Sequence, residues 1–146
     1  MTLNMVLMLP PTIYTKQKPT KGDRKMITKQ EIRERIIDQV QLKTVIHEEY
    51  APIEGNAIAS EDEDFDRKVC QEIRSQLEAG NPWAWCTVEV IARWETFSGN
   101  DFLGCCSYKD EDDFKKGGYA EGMAEIAVND LIDSIISVNK SLEPLQ

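Results

Sequence analysis

The chain lacks most of the residues and motifs on which enzymes depend. It has a single histidine, His47, among 146 residues, so a histidine-based catalytic site would need that one imidazole. No glycine-rich phosphate loop occurs, because Gly117-Gly118 is not followed by the lysine of a P-loop. No apolar run approaches the roughly 20 residues that cross a bilayer, and the short run 3–9 lacks a basic region before it. We therefore expect a cytoplasmic protein that does not contact a membrane.

Four cysteines, Cys70, Cys86, Cys105 and Cys106, are the main candidates for metal chemistry. Together with His47 they offer ligand types that zinc prefers. The spacing argues against a zinc site, since no C-x-x-C is present and the adjacent Cys105 and Cys106 point to opposite faces of a strand. We expect free, buried thiols and no cofactor. A Cys/His metal-binding or enzymatic domain stays as an alternative.

Charge is distributed unevenly along the chain. Residues 1–46 hold nine Lys/Arg and four Asp/Glu, a net charge of +5, whereas residues 47–146 hold eight and twenty-two, a net charge of −14. An acidic body repels the phosphate backbone, so we expect no direct nucleic-acid binding by the body and a protein as the partner. The same charge permits an alternative function, in which the protein mimics nucleic acid and inhibits a DNA-binding protein.

The stretch 83–108, WAWCTVEVIARWETFSGNDFLGCCSY, carries the clearest structural pattern. Even positions from Ala84 to Trp94 are apolar and odd positions are mostly polar, which is typical of a half-buried strand. Ser98-Gly99-Asn100-Asp101 has turn chemistry, and a second apolar run, 102–108, follows it. The pattern predicts a β-hairpin.

Helices are predicted on both sides of this hairpin. Thr28 to Glu31 and Ser60 to Glu63 have the form of capping boxes, and they predict helices over 28–41 and 61–79. Gly80 occupies the position of a left-handed C-terminal cap for the second helix. Apolar residues at helical spacing predict a last helix over 119–140.

These elements predict an α+β fold. An antiparallel, β-hairpin-centred sheet would pack against two or three α-helices in a two-layer sandwich. We expect residues 1–25 to be a flexible basic N-terminal tail and residues 26–146 to be a single domain. The sequence leaves the oligomeric state open.

Two groups of residues are candidates for an interaction surface. Trp83 and Trp85 lie on the odd face of the hairpin, where exposed indoles would form an aromatic platform; the alternative is that a helix covers that face. The second group is a run of acidic residues that is either a solvated face or a docking surface for a basic partner: Asp110, Glu111, Asp112 and Asp113.

Three segments resemble one family. They are YAPIEGNA at 50–57, GNPWAWC at 80–86 and FLGCCSY at 102–108. These segments are similar to those of a family of small uncharacterised bacterial and phage proteins. The resemblance implies a compact cytoplasmic domain and assigns no activity, cofactor or site. Our leading hypothesis is therefore a small acidic protein-interaction module without catalytic activity.

Overall fold

The computed structural model describes residues 25–145, and the predicted tail lies outside these residues except for Lys25. The described chain contains seven main elements in the following order: α1 (Lys29–Ile36), β1 (Gln41–Glu48), α2 (Glu63–Glu78), β2 (Cys86–Trp94), β3 (Phe97–Cys106), α3 (Glu111–Lys116) and α4 (Tyr119–Leu142). Short 3₁₀ turns follow α1, precede β2 and follow α4.

The three strands form one antiparallel sheet in the order β1-β2-β3. Strands β2 and β3 are the predicted hairpin, and β1 is a strand of eight residues that pairs with β2 along its length. Helices pack against this sheet, so the predicted α+β two-layer arrangement is confirmed.

The main core lies between the even face of β2 and helix α4. Cys86, Val88 and Ala92 are at most 1% exposed, as the period of two predicts. They pack against the buried stripe of α4 and against two residues of α1 in one apolar cluster: Met123, Ala127, Val128, Leu131, Ile132, Ile135, Ile32 and Ile36. Two residues on these apolar faces are less buried than the patterns predict: Trp94 of β2 is only partly buried, and Val138 of α4 is 44% exposed.

The predicted turn of the hairpin is wrong. Trp94 pairs with Phe97, so the chain reverses at Glu95 and Thr96, and Glu95 takes the positive φ of 52°. Residues 98–101 lie within β3. Gly99 has a different role there, because a Cβ at this position would collide with the backbone of α4 at Leu131.

The cap of α1 is as predicted, whereas the end of α1 and the cap of α2 differ from the prediction. Thr28 forms a full capping box with Glu31, but α1 ends at Ile36 because the chain tightens into a 3₁₀ turn and then extends at Val40. The cap of α2 is Asp62, whose carboxylate accepts the Phe65 N–H at 3.0 Å. The predicted cap, Ser60, instead donates from its N–H and hydroxyl to Asp66 in the first helical turn.

Helix α2 packs at the end of the hairpin, where β2 begins and β3 ends. Gly80, two residues after the last residue of α2, has the predicted left-handed conformation with a φ of 92°. Ile73 and Cys70 are buried there with Trp85 and Ile53, in a second apolar cluster that also contacts Cys105. The apolar stripe of α2 is incompletely covered, since Phe65 is 51% exposed.

Candidate functional site

The two candidate tryptophans do not form an exposed platform. Trp85 is 5% exposed and lies in the second cluster, and its indole N–H donates to the Ala51 carbonyl at 2.9 Å. Trp83 is partly buried against the main core, with its ring 6.1 Å from that of Phe114. The platform hypothesis is wrong because α2 covers Trp85.

The acidic run is largely explained by helix α3. Asp110 caps the helix by accepting the Asp113 N–H at 2.8 Å. The carboxylate of Asp113 in turn accepts the Lys109 N–H at 2.9 Å, and Glu111 pairs with Lys115 at 3.0 Å. Only Asp112 has no such contact among the described residues. The run is therefore a helix start with a solvated side.

A long groove runs between α2 and the end of β3. It consists of two adjoining cavities of about 570 and 540 Å³, which share Glu72, Ile73, Ser107 and Tyr108. We call it the α2 groove. Its remaining lining comes from α2, from the end of β3, from the loops and turns around them and from the starts of α3 and α4: Ala57, Val69, Gln76, Asn81, Ala84, Trp85, Leu103, Cys105, Cys106, Lys109, Asp113 and Tyr119.

The α2 groove has an apolar floor and an acidic rim. Ile73 and Trp85 form part of the floor, while Glu72 and Asp113 are the carboxylates of the lining and Lys109 is its one cation. The structure thus brings Trp85 and Asp113, two predicted site residues, to one groove. The other predicted site residues, Trp83 and Asp110 to Asp112, do not line it.

Sequence reasoning missed the residues of α2 and the two tyrosines of this site. The available signal was the apolar stripe of α2, which consists of Phe65, Val69, Ile73 and Leu77. Tyr108 and Tyr119 are separated in sequence by α3, and their convergence on one groove is visible only in the fold.

Glu49 fixes the irregular end of β3 beside the groove. Residues 104 and 105 form a bulge opposite β2, and Cys105 has a φ of 55°. The Glu49 carboxylate accepts the N–H groups of Cys105 and Ala51 and the hydroxyl of Thr87, at 2.8, 2.9 and 2.8 Å. These hydrogen bonds, chiefly the one from Cys105, lower the pKa of Glu49.

His47 lies on the other, open face of the sheet. Its Nε2 is 2.6 Å from the Glu89 carboxylate, which also accepts the Asn100 side-chain amide at 3.1 Å. A histidine held by a carboxylate is able to transfer protons, but catalysis depends on placing the pair in a desolvated cleft. The His47 side chain is 48% exposed on this face. The pair thus links β1 to β2 on the exposed face of the sheet.

The cysteines do not join His47. Residues 25–145 contain no cluster of three or more His, Cys, Asp or Glu able to hold a metal ion. All four cysteines are free, and Cys86 and Cys106 are buried in the main core. Burial raises the pKa of Cys86 to about 12 and also raises the pKa of Cys106, so both stay protonated at neutral pH and are poor nucleophiles and ligands.

The described part of the chain also has no helix that is long and apolar enough to cross a bilayer. No protein-family model, curated protein or solved structure matches this sequence, so the function has to be argued from the geometry of the α2 groove.

Proposed function

We propose that this protein is a non-catalytic interaction module that binds a basic, amphipathic segment of a partner protein in the α2 groove. The observation that carries the proposal is the groove itself, an apolar floor bordered by carboxylates. An amphipathic helix placed in such a groove is a recurring mode of peptide recognition.

The floor supplies the free energy of binding. Each leucine-sized side chain that is fully buried contributes about 1.5–3 kcal/mol. Part of the lining is already apolar and preformed, with Ile73 and Trp85 held in the second cluster, so few protein side chains need to be ordered on binding.

The rim supplies the preference for a basic partner. Glu72 and Asp113 stand at the groove, and residues 47–146, which build it, carry a net charge of −14. Complementary charge raises the association rate and disfavours acidic partners, and both effects weaken with salt.

The caps and ion pairs that the acidic residues form favour this assignment over nucleic-acid mimicry. Asp62 and Asp110 cap helices, and several other carboxylates pair with Lys or Arg on the same surface: Glu54 with Arg74, Glu111 with Lys115, Glu125 with Arg33 and Asp133 with Lys29. Mimicry of a phosphate backbone requires unpaired, regularly spaced charge.

A binding titration with matched variants tests the proposal. The probe is a 14-residue peptide of leucine and lysine with leucines at i, i+3, i+4 and i+7, compared with a scrambled peptide of the same composition. Glu72→Gln removes a rim charge, whereas Glu78→Gln makes the same change on α2 outside the groove. We expect Glu72→Gln to weaken peptide binding about two- to five-fold, the range for one exposed ion pair, and Glu78→Gln to have little effect.

The scrambled peptide separates docking from simple charge attraction. We expect it to bind at least ten-fold more weakly, because it has no continuous apolar face. Equal affinities for the two peptides, together with equal effects of the two variants, would show that the acidic surface attracts cations without a docking site, and the proposal would be wrong.

A further inference from the structure

The two edges of the sheet differ in how they are covered. On the β3 edge, the Asn100 N–H donates to the Asp130 carboxylate at 3.0 Å, and the Ser98 carbonyl accepts the Ser134 hydroxyl at 3.4 Å. Helix α4 therefore covers that edge around residues 98–100. Within residues 25–145, the backbone of β1 pairs with β2 alone. An edge strand with open N–H and C=O groups is a template for another strand.

A groove accompanies the open edge on the core side of β1. Its volume is about 680 Å³, and its apolar lining includes Leu42, Val90, Phe114, Ala120 and Ala124. We call it the β1 groove. Leu42, which opposes the fully buried Ala92, is itself 54% exposed. The layer formed by α4 thus leaves apolar surface beside β1 uncovered.

The sequence before residue 25 contains a segment with matching chemistry. Every odd position of the run 3–9 is leucine or methionine, whereas Asn4 lies among the even positions. Apart from Asn4 the whole run is apolar, and a strand over it would present only leucine and methionine on its odd face. Pro10-Pro11 follows at once, and proline ends a strand because it cannot donate to the ladder.

The chain length permits this segment to reach β1. Residues 10–24 span at most about 50 Å when extended, while α4, with its 24 residues, is about 36 Å long. Met26 and Ile27 lie beside Ile136 and Lys140, near the end of α4. Because the segment is tethered to the same chain, its effective concentration at β1 is higher than that of a free partner strand.

We propose that the open edge of β1 is the docking site of the segment Leu3–Leu9 of the same chain. The segment pairs with β1 as a fourth strand, and its odd side chains enter the β1 groove. A partner that uses this edge would then have to displace the segment first.

Residue-resolved amide hydrogen exchange on the full chain tests this inference. We expect slow exchange at all β1 amides, including the alternate ones that do not bond to β2. Leu7→Glu places a charge in the β1 groove and should speed exchange of those alternate amides at least ten-fold. The matched change Met8→Glu, on the opposite side of the segment, should leave them unchanged. Protection in α4 reports whether the fold itself is intact.

Two results would overturn the inference. In one, the alternate β1 amides exchange at the same rate in the full chain and in both variants, which means that the segment does not cover the edge. In the other, these amides are protected but light scattering gives the mass of a dimer that Leu7→Glu dissociates, which assigns the edge to a second copy of the chain.

Discussion

Gly99 lies where helix α4 comes closest to the sheet. A Cβ at this position would collide with the Leu131 nitrogen, the Ala127 carbonyl oxygen and the Asp130 carbonyl carbon, all of them backbone atoms. We predict that Gly99→Ala lowers the free energy of unfolding by about 3 kcal/mol, the upper range for an overpacked site, as measured by urea denaturation.

Gly122 is the matched control for Gly99. It lies within α4 and has nothing within 4 Å of its missing Cβ, so Gly122→Ala should raise the free energy of unfolding by about 0.4–1 kcal/mol. Equal effects of the two substitutions would mean that α4 is not seated on Gly99.

Glu49 makes stability depend on pH. Its pKa in the folded protein lies below the usual 4.5 because Cys105, Ala51 and Thr87 hydrogen-bond its carboxylate. A lowered folded-state pKa adds stability that is fully present above the unfolded pKa and is lost as the pH falls through the folded value. We predict that Glu49→Gln lowers the free energy of unfolding by about 1–2 kcal/mol at pH 7.

The difference between wild type and Glu49→Gln should shrink as the pH is lowered from 5 to 3 in denaturation measurements. Glu48→Gln is the control, because the Glu48 carboxylate accepts one hydrogen bond among the described residues, from the Tyr50 hydroxyl at 3.4 Å. A difference that stays constant over this pH range would contradict the assigned role of the carboxylate.

Single residues were predictable where their environment is local. The period of two placed Cys86, Val88 and Ala92 in the core because side chains alternate along any strand. The role of Gly99 was not predictable, since it depends on α4, some 30 residues later. The turn was misplaced for the same reason, because glycine and asparagine occur at 99 and 100 for a tertiary contact and not for positive φ.

At the scale of elements, the ends of the hairpin differ in how its tryptophans are packed. Trp85 is buried with a short indole hydrogen bond to Ala51, whereas Trp94 is partly buried, stacks on Phe97 and contacts Gln39 at 3.3 Å. We predict that Trp85→Ala lowers the free energy of unfolding by about 3–5 kcal/mol.

Trp94→Ala should lower the free energy of unfolding by only about 1–2 kcal/mol, because a partly exposed side chain buries less apolar surface. Chemical denaturation of both variants checks this order. A larger loss for Trp94→Ala would mean that the main core, rather than the second cluster, contains the better-packed indole.

Helices were predicted better than strand β1. Capping signals such as Thr28 with Glu31 are local, and their geometry follows from neighbouring residues. Strand β1 has polar residues at 41 and 43, so its local pattern does not indicate a strand. Its pairing with β2, between residues 38 to 52 positions apart in sequence, forms it instead. The cap of α2 is Asp62 and not Ser60 because the helix begins at Glu63, and Ser60 donates to Asp66 instead.

At the scale of the molecule, the α2 groove arises from unequal coverage of the sheet. Helix α4 lies along β2 and β3, whereas α2 contacts chiefly the turn before β2. The space between α2, the end of β3 and the start of α4 is therefore open. Sequence reasoning identified Trp85 and Asp113 as site residues but could not place them together, since segments 63–78, 105–109 and 113–119 converge only in the folded chain.

The three tryptophans provide the most direct test of peptide docking in the α2 groove. Two-dimensional NMR of the ¹⁵N-labelled protein, titrated with the leucine–lysine peptide, resolves one indole signal from each. We predict that the Trp85 signal and the amides of Ile73, Ser107 and Tyr108 shift, because these residues line the groove. The Trp94 signal, at the far end of the hairpin, should stay in place. Shifts centred on Trp94 or on the open face around His47, with Trp85 unmoved, would contradict the account.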